Sequence, residues 1–309
     1  MKKRLPYLLL TITTVIWGLA FVAQKIAATL PAFTVGALRS ILAVLFIFAV
    51  IPFFDRLTKN GRSSFNKKTI LDFNKRELVG GLVLGILLTV ATTLQQTGIG
   101  ESDSGKAAFI TALYVVIVPI VSSIFGKKPG LFAIISVPVA ILGFYLLCIK
   151  PGETLNPADL LVLGCAIVFA GHIIAVDRLS PGCDGLRMSF IQFAVSFLLN
   201  SILALIFEGV PSLNVVISVM PALLFLGIFS SGIAYTLQIL GQKGSDPTVA
   251  SMIMSLEAVF GVLGSAVILK EKMEVREYIG CGVVFFAVLM AQLDVGSIKK
   301  LFASRRQEK

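Results

Sequence analysis

The sequence predicts an all-α integral membrane protein, ten transmembrane helices built as two inverted five-helix repeats. Three observations carry that expectation. Only 14% of the 309 residues are charged, 56% are hydrophobic, and the mean hydropathy is +0.93; an average globular domain carries about 25% charged residues. The uncharged runs match the roughly 20 helical residues needed to cross about 30 Å of hydrocarbon. A segment of the first half also returns in the second half at constant spacing.

In chain order the runs are Leu5–Gln24, Ala32–Phe54, Leu78–Ile99, Ala107–Phe125, Leu131–Ile149, Leu160–Val176, Met188–Phe207, Val215–Leu240, Thr248–Leu269 and Tyr278–Leu293. They are continuous and do not alternate as barrel strands do. The first follows Met1-Lys-Lys-Arg and so resembles a signal peptide. It is longer than a cleavable core and no small-x-small cleavage site follows, so it is read as a retained helix. The sixth and tenth are the shortest. The ninth is the oddest, because Glu257 is its only ionisable residue in 22 positions.

Lysine and arginine set the orientation. With the N-terminus inside, the ends on that side hold twenty basic residues, many of them between Arg56 and Arg76. The opposite ends hold six: Lys25, Lys106, Lys150, Lys270, Lys272 and Arg276. This bias predicts a multi-pass protein of the cell membrane with both termini cytoplasmic. The net charge of +10 then reads as anchoring on anionic lipid headgroups. Nucleic-acid binding is not expected, since no soluble domain accompanies the charge.

No pair among the four cysteines has zinc-ligand spacing and His172 is the only histidine, so no metal site is expected. Nucleotide loops, nucleophile elbows and paired-carboxylate sites are likewise missing from the sequence. Neither an enzyme nor a cofactor is indicated.

Residues 91–113, ATTLQQTGIGESDSGKAAFITAL, match residues 234–256, AYTLQILGQKGSDPTVASMIMSL, at ten of 23 positions with a constant offset of 143. The repeat extends outward once loops differ in length: Gly18 to Lys25 faces Gly171 to Arg178, and Gly36-x-Leu-Arg39 faces Asp184-Gly-Leu-Arg187. The units are 1–151 and 152–309, the second ending in a basic cytoplasmic tail. Five helices per unit force the second copy into the membrane upside down. Inverted repeats commonly surround a substrate site near the midplane and supply two gates for alternating access.

The segment WGLAFVAQK, 17–25, resembles the Trp-Gly-x-x-Phe-x-x-x-Lys signature of the drug/metabolite transporter superfamily, EamA type. Leu256-Glu257, Leu269 with Glu271, and Ile279-Gly280 are similar to that family's Leu-Glu-Pro, Leu-Gly-Glu and Ile-Gly series. The resemblance covers about residues 7 to 293. It implies a ten-helix permease for small metabolites, commonly an exporter of amino acids or related compounds. There are departures: Val115 and Ala258 stand where the family has proline, Lys270 replaces glycine, and Lys127-Lys128 stand where a glutamate is frequent. The missing prolines remove the helix breaks that the resemblance implies.

The candidate substrate-binding residues are Trp17, Gly18, Arg39, Gln95, Tyr235, Gln238 and Glu257. Trp17, the only tryptophan, lies deep in the first run, where it either packs against small residues or walls a cavity. Gly18 beside it permits close helix approach or a bend. Arg39 sits two turns inside the second run and needs an ion pair or a watery cavity. Gln95 and Gln238 are repeat mates that either join helices or line a pathway. Glu257 either bridges helices or faces the cavity, where an unpaired carboxylate could exchange protons; its repeat mate is Tyr114. Gate or coupling candidates are Lys25, its mate Arg178, and His172. Small-residue stripes at Gly81/Gly85, Gly261/Ser265 and Ala287/Ala291 suit helix contacts within one chain or in a homodimer.

The expected function is a secondary transporter, drawing on a substrate or proton gradient, that exports a small polar or amphipathic metabolite as a monomer or homodimer. A membrane scaffold or sensor is the competing class. Lipid is the surrounding partner in both.

Overall fold

The computed structural model describes residues 4–58, 71–102, 104–127, 129–149, 152, 156–268, 270 and 273–293. The basic stretch 59–70, Lys128, Lys150, Leu269, Glu271, Lys272 and the tail from 294 lie outside the described residues. Those residues carry part of the orientation argument and part of the family motif.

Every regular element described is helical: α1 Arg4–Ala27, α2 Ala32–Thr58, α3 Lys75–Glu101, α4 in two segments (Ser104–Ala112 and Tyr114–Ile124), α5 Leu131–Cys148, α6 Pro157–Leu179, α7 Gly185–Phe207, α8 from Met220 to Gln242, α9 in two segments (Pro247–Met254 and Glu257–Ile268), and α10 Val275–Ala291. A short helix, Leu213–Ser218, precedes α8. Nine of these, α1 to α9, are long and apolar enough to cross a membrane. The tenth has 17 residues, about 25 Å of rise, and packs along α5. The sixth run is longer than its apolar stretch suggests, because Asn156 and Asp159 form a capping box that starts α6 at Pro157.

Repeat mates cross in opposite directions. At one end of the α2–α7 pair, Glu208 accepts from the Phe33 and Thr34 amides at 2.8 and 2.7 Å and from the Thr34 hydroxyl at 2.8 Å. A carboxylate there also opposes the positive end of the α2 dipole. At the other end, Arg187 of α7 grips Asp55 of α2 at 3.1 and 2.7 Å. The helices are therefore antiparallel, as an inverted repeat requires. The packing follows the same exchange: α1 lies on α8 and α9, while α6 lies on α3 and α4; α2 meets α8, while α7 meets α3. The side of the bundle where α1 begins is called here the N face, and the opposite side the far face.

The small-residue stripes serve contacts inside the chain. An added Cβ at Gly81 would lie 2.5 Å from Ile191, and one at Gly85 would lie 2.6 Å from Val195, both on α7. Ala287 and Ala291 of α10 are buried.

Three runs are less regular than the sequence suggests. Helices α4 and α9 break at Leu113 and at Ser255-Leu256 even though Val115 and Ala258 stand where the resemblance has proline. Leu113 and Leu256 are repeat mates, and their amides turn to the carbonyls three residues back, Ile110 and Ile253, at 3.2 and 3.1 Å. In α9 the Ser251 and Ser255 hydroxyls bond Thr248 and Met252 carbonyls at 2.8 Å, a back-bonding that bends helices. No serine accompanies the break in α4. In α8 the ten residues Phe225–Ala234 are wound as a π-helix. Hydrophobic periodicity does not announce this in a run apolar on all sides.

Candidate functional site

Seven helices converge on one narrow cavity of about 30 Å³. It is lined by Trp17, Ala20, Phe21 and Gln24 of α1, Arg39 of α2, Gln95 of α3, Tyr114 of α4, Phe169 and Ile173 of α6, Ser230, Tyr235 and Gln238 of α8, and Glu257 of α9. Three pairs among these are repeat mates: Gln95 with Gln238, Tyr114 with Glu257, and Ala20 with Ile173. The cavity thus lies where the two repeats meet.

Arg39 is 5% exposed. Its Nε donates to Ser231 Oγ at 2.9 Å and its Nη2 to Ser230 Oγ at 3.0 Å. Both partners are neutral hydroxyls on the π-helical stretch. Widening the helix here also leaves the Ser230 carbonyl available to Trp17, whose Nε1 donates to it at 3.2 Å. Space for this approach comes from glycine: a Cβ at Gly227 would sit 3.1 Å from the Arg39 carbonyl and 2.4 Å from Leu42 Cβ.

The aromatic wall is Trp17 against Tyr235, with ring centroids 4.7 Å apart. Tyr235 is held edge-on from behind by His172 and Phe193 at 6.0 and 5.5 Å. Glu257 accepts one hydrogen bond among the described residues, from Tyr114 Oη at 3.1 Å. Gln95 donates to Thr111 Oγ1 at 3.3 Å, while Gln238 Oε1 is buried with no partner among the described residues.

Of the residues singled out from sequence, Trp17, Arg39, Gln95, Tyr235, Gln238 and Glu257 line the cavity. Gly18 does not. It faces α9, where an added Cβ would lie 2.4 Å from Phe260 Cβ and 2.7 Å from backbone. His172 is fully buried behind Tyr235, its Nε2 3.3 Å from Gln192 Oε1. Lys25 and Arg178 lie away from the cavity, near opposite faces. Lys25 Nζ donates to the carbonyls of Ile99, Gly100 and Ser102 at 2.9, 3.3 and 3.0 Å, capping α3. Arg178 donates to the Phe125 carbonyl at 3.1 Å and covers its ring.

Both faces are tied across helices. On the far face Lys106 of α4 pairs with Asp159 of α6 at 3.0 Å, and Ser102 donates to the same carboxylate at 2.7 Å. On the N face Lys127 pairs with Asp177, Asp184 offers its amide to Glu77 at 3.0 Å, and Lys243 donates to the Cys183 carbonyl. Burial pulls the Lys243 ammonium below its ordinary pKa, with Asp184, Cys183 and Glu77 acting in the other direction.

Sequence reasoning passed over Ser230, Ser231, Gln24 and Phe169. The serine pair leaves one signal, two adjacent hydroxyls within an otherwise apolar run. Gln24 and Phe169 leave none that separates them from packing residues.

A family model described as the EamA-like transporter family matches residues 4–149 and again 156–292. A curated relative from Archaeoglobus fulgidus, called an uncharacterized transporter, is 27% identical over 292 residues, covering 93% of this chain and 85% of its own length. A solved crystal structure shares the fold with a TM-score of 0.71 at 17% identity, covering 98% of this chain and 99% of its own.

Proposed function

Because the chain belongs to the EamA-like transporter family, we propose that it is a secondary transporter that exports a small polar or amphipathic metabolite, an amino acid or a related compound, by alternating access around the central cavity. The observation that carries this reading is the placement of three repeat-mate pairs on the cavity wall. A site shared by two inverted repeats faces equivalent helices toward either side, so rocking one set against the other exposes it alternately. The tied clusters on the two faces are the natural gates. The sequence holds no nucleotide-binding motif, which leaves a substrate or proton gradient as the energy source. Glu257 is the group in the cavity suited to exchange a proton, with Tyr114 donating to it. The basic residues on the N face argue for cytoplasmic termini in the cell membrane.

Proteoliposomes of the purified protein, loaded with radiolabelled metabolite mixtures, test the reading. Release of a defined small metabolite, accelerated by an imposed gradient, is the expected result. Vesicles inert across a broad panel would overturn it and favour a scaffold. Metabolite profiling of cells with and without the protein, inside against medium, tests the direction.

A further inference from the structure

We propose that the ligand of this cavity carries a carboxylate, or an equally flat oxyanion, that docks on the free side of the Arg39 guanidinium; this deepens the transport reading and rests on it. The chain contains an internal control for the argument. Arg187 is the repeat counterpart of Arg39, and it is neutralised by two carboxylates, Asp55 at 2.7 Å and Asp184 at 2.8 Å. Lys106 and Lys127 likewise have aspartates. Arg39 is buried to the same degree as Lys106, yet it carries no ion pair among the described residues; hydroxyls alone hold it. Those two hydroxyls occupy the Nε and Nη2 positions as the two oxygens of a carboxylate would, and Nη1 makes no hydrogen bond among the described residues. They orient the fork without cancelling its charge.

The nearby acid does not fill the vacancy. Glu257 lines the same cavity but bonds Tyr114. A buried cation with oriented donors and no counter-ion is a site for an anion, and guanidinium geometry favours planar oxyanions bound through paired N–H groups. The rest of the wall fits an organic anion better than an inorganic one. Trp17 and Tyr235 offer apolar faces beside the charge, and Gln238 Oε1 has no partner among the described residues.

Trp17 makes the test direct. It is the only tryptophan, and Ser230 bonds both it and Arg39, so its emission reports on this spot. Full-length protein in phosphatidylcholine nanodiscs is titrated with benzoate and with benzamide, its uncharged isostere. Benzoate is expected to perturb Trp17 emission with an affinity at least about tenfold above benzamide, the scale of one charge-assisted hydrogen-bonded contact. Arg39→Gln should abolish that preference, and Arg39→Lys, which keeps charge but loses the fork, should reduce it. Arg276→Gln, outside the cavity, should leave it intact.

Should Arg39→Gln not fold, the Ser230→Ala/Ser231→Ala double variant frees the guanidinium from its anchor and should weaken benzoate alone. Equal responses to the two probes, including none to either, overturn the proposal, as does a preference that survives loss of Arg39 or of both serine hydroxyls. The two readings fail separately. An Arg39-dependent preference in a protein inert in proteoliposomes removes transport and keeps the anion site; transport without that preference does the reverse.

Discussion

Arg39 and Arg187 hold the same place in the two copies of Gly/Asp-x-Leu-Arg, yet Arg187 sits between two aspartates and Arg39 between two serines. Corresponding positions of the two repeats thus hold a structural arginine and a cavity arginine. Removing one member of a buried ion pair leaves the other uncompensated and costs about 3–5 kcal/mol. Arg187→Gln should therefore unfold in detergent at clearly lower temperature or denaturant. Arg39→Gln loses two hydrogen bonds to neutral groups but also removes an unpaired buried charge, so its stability should move by about 1 kcal/mol or less. Unfolding curves of both variants check the contrast, and equal losses would contradict it.

Glu257 is the acidic side chain among the cavity-lining residues, with Tyr114, Tyr235, Arg39 and Cys165 around it. Glu257→Gln keeps the shape and the contact to Tyr114 but cannot titrate. Wild-type transport should vary with pH, and the Gln variant should remain folded with a flattened profile. A Gln variant that tracks the wild-type pH profile would show that Glu257 only joins helices.

Gly18 is a packing position. Adding one methyl places it against Phe260 Cβ at 2.4 Å and the Phe260 carbonyl carbon at 2.7 Å, and backbone cannot move aside as a side-chain tip can. Gly18→Ala should destabilise by about 1–3 kcal/mol and lower transport through misplacement of Trp17. Unchanged stability would mean that α1 and α9 separate freely.

The Lys106–Asp159 pair ties α4 to α6 on the far face. Asp159→Asn should favour conformations open on that side. In an Ala20→Cys reporter, whose residue lines the cavity, a membrane-impermeant thiol reagent applied to the far face should then react faster. The exchange Lys106→Asp/Asp159→Lys restores the ion pair but not the Asp159 cap on α6, and should return the rate part of the way toward its starting value. Labelling that is indifferent to both changes would remove the pair from gating.

Orientation is tested by single cysteines at Pro181 and Ser212, exposed positions on the N face and the far face. Impermeant reagent added to intact cells should label Ser212→Cys and spare Pro181→Cys. The opposite result would invert the assignment of termini.

Much of this site could be read from the residues because chemistry in an apolar run is conspicuous. Arg39, Gln95, Gln238 and Glu257 are polar where polarity is costly, and the offset of 143 links Gln95 to Gln238 and Tyr114 to Glu257. What was hidden is what a continuous apolar run cannot encode. The π-wound stretch of α8 and the paired breaks at Leu113 and Leu256 arise from local rearrangement of backbone hydrogen bonds, without the prolines that mark such places. Lys25 and His172 show the limit of reasoning from residue type: one caps α3, the other props Tyr235, and neither enters the cavity.

The Tyr114–Glu257 hydrogen bond joins two residues separated by the repeat offset itself. Mates touch only on the axis that relates their repeats, so this bond marks that axis. A dimer of identical halves would place one residue type on both sides of it. Two glutamates so close would not both hold a charge, and two tyrosines would supply no carboxylate. Fusing the halves into one chain lifts that restriction, letting a donor face an acceptor at a point where symmetry alone would force like against like. A single polypeptide can thus hold at its centre a chemical polarity that no symmetric pair of its halves could possess.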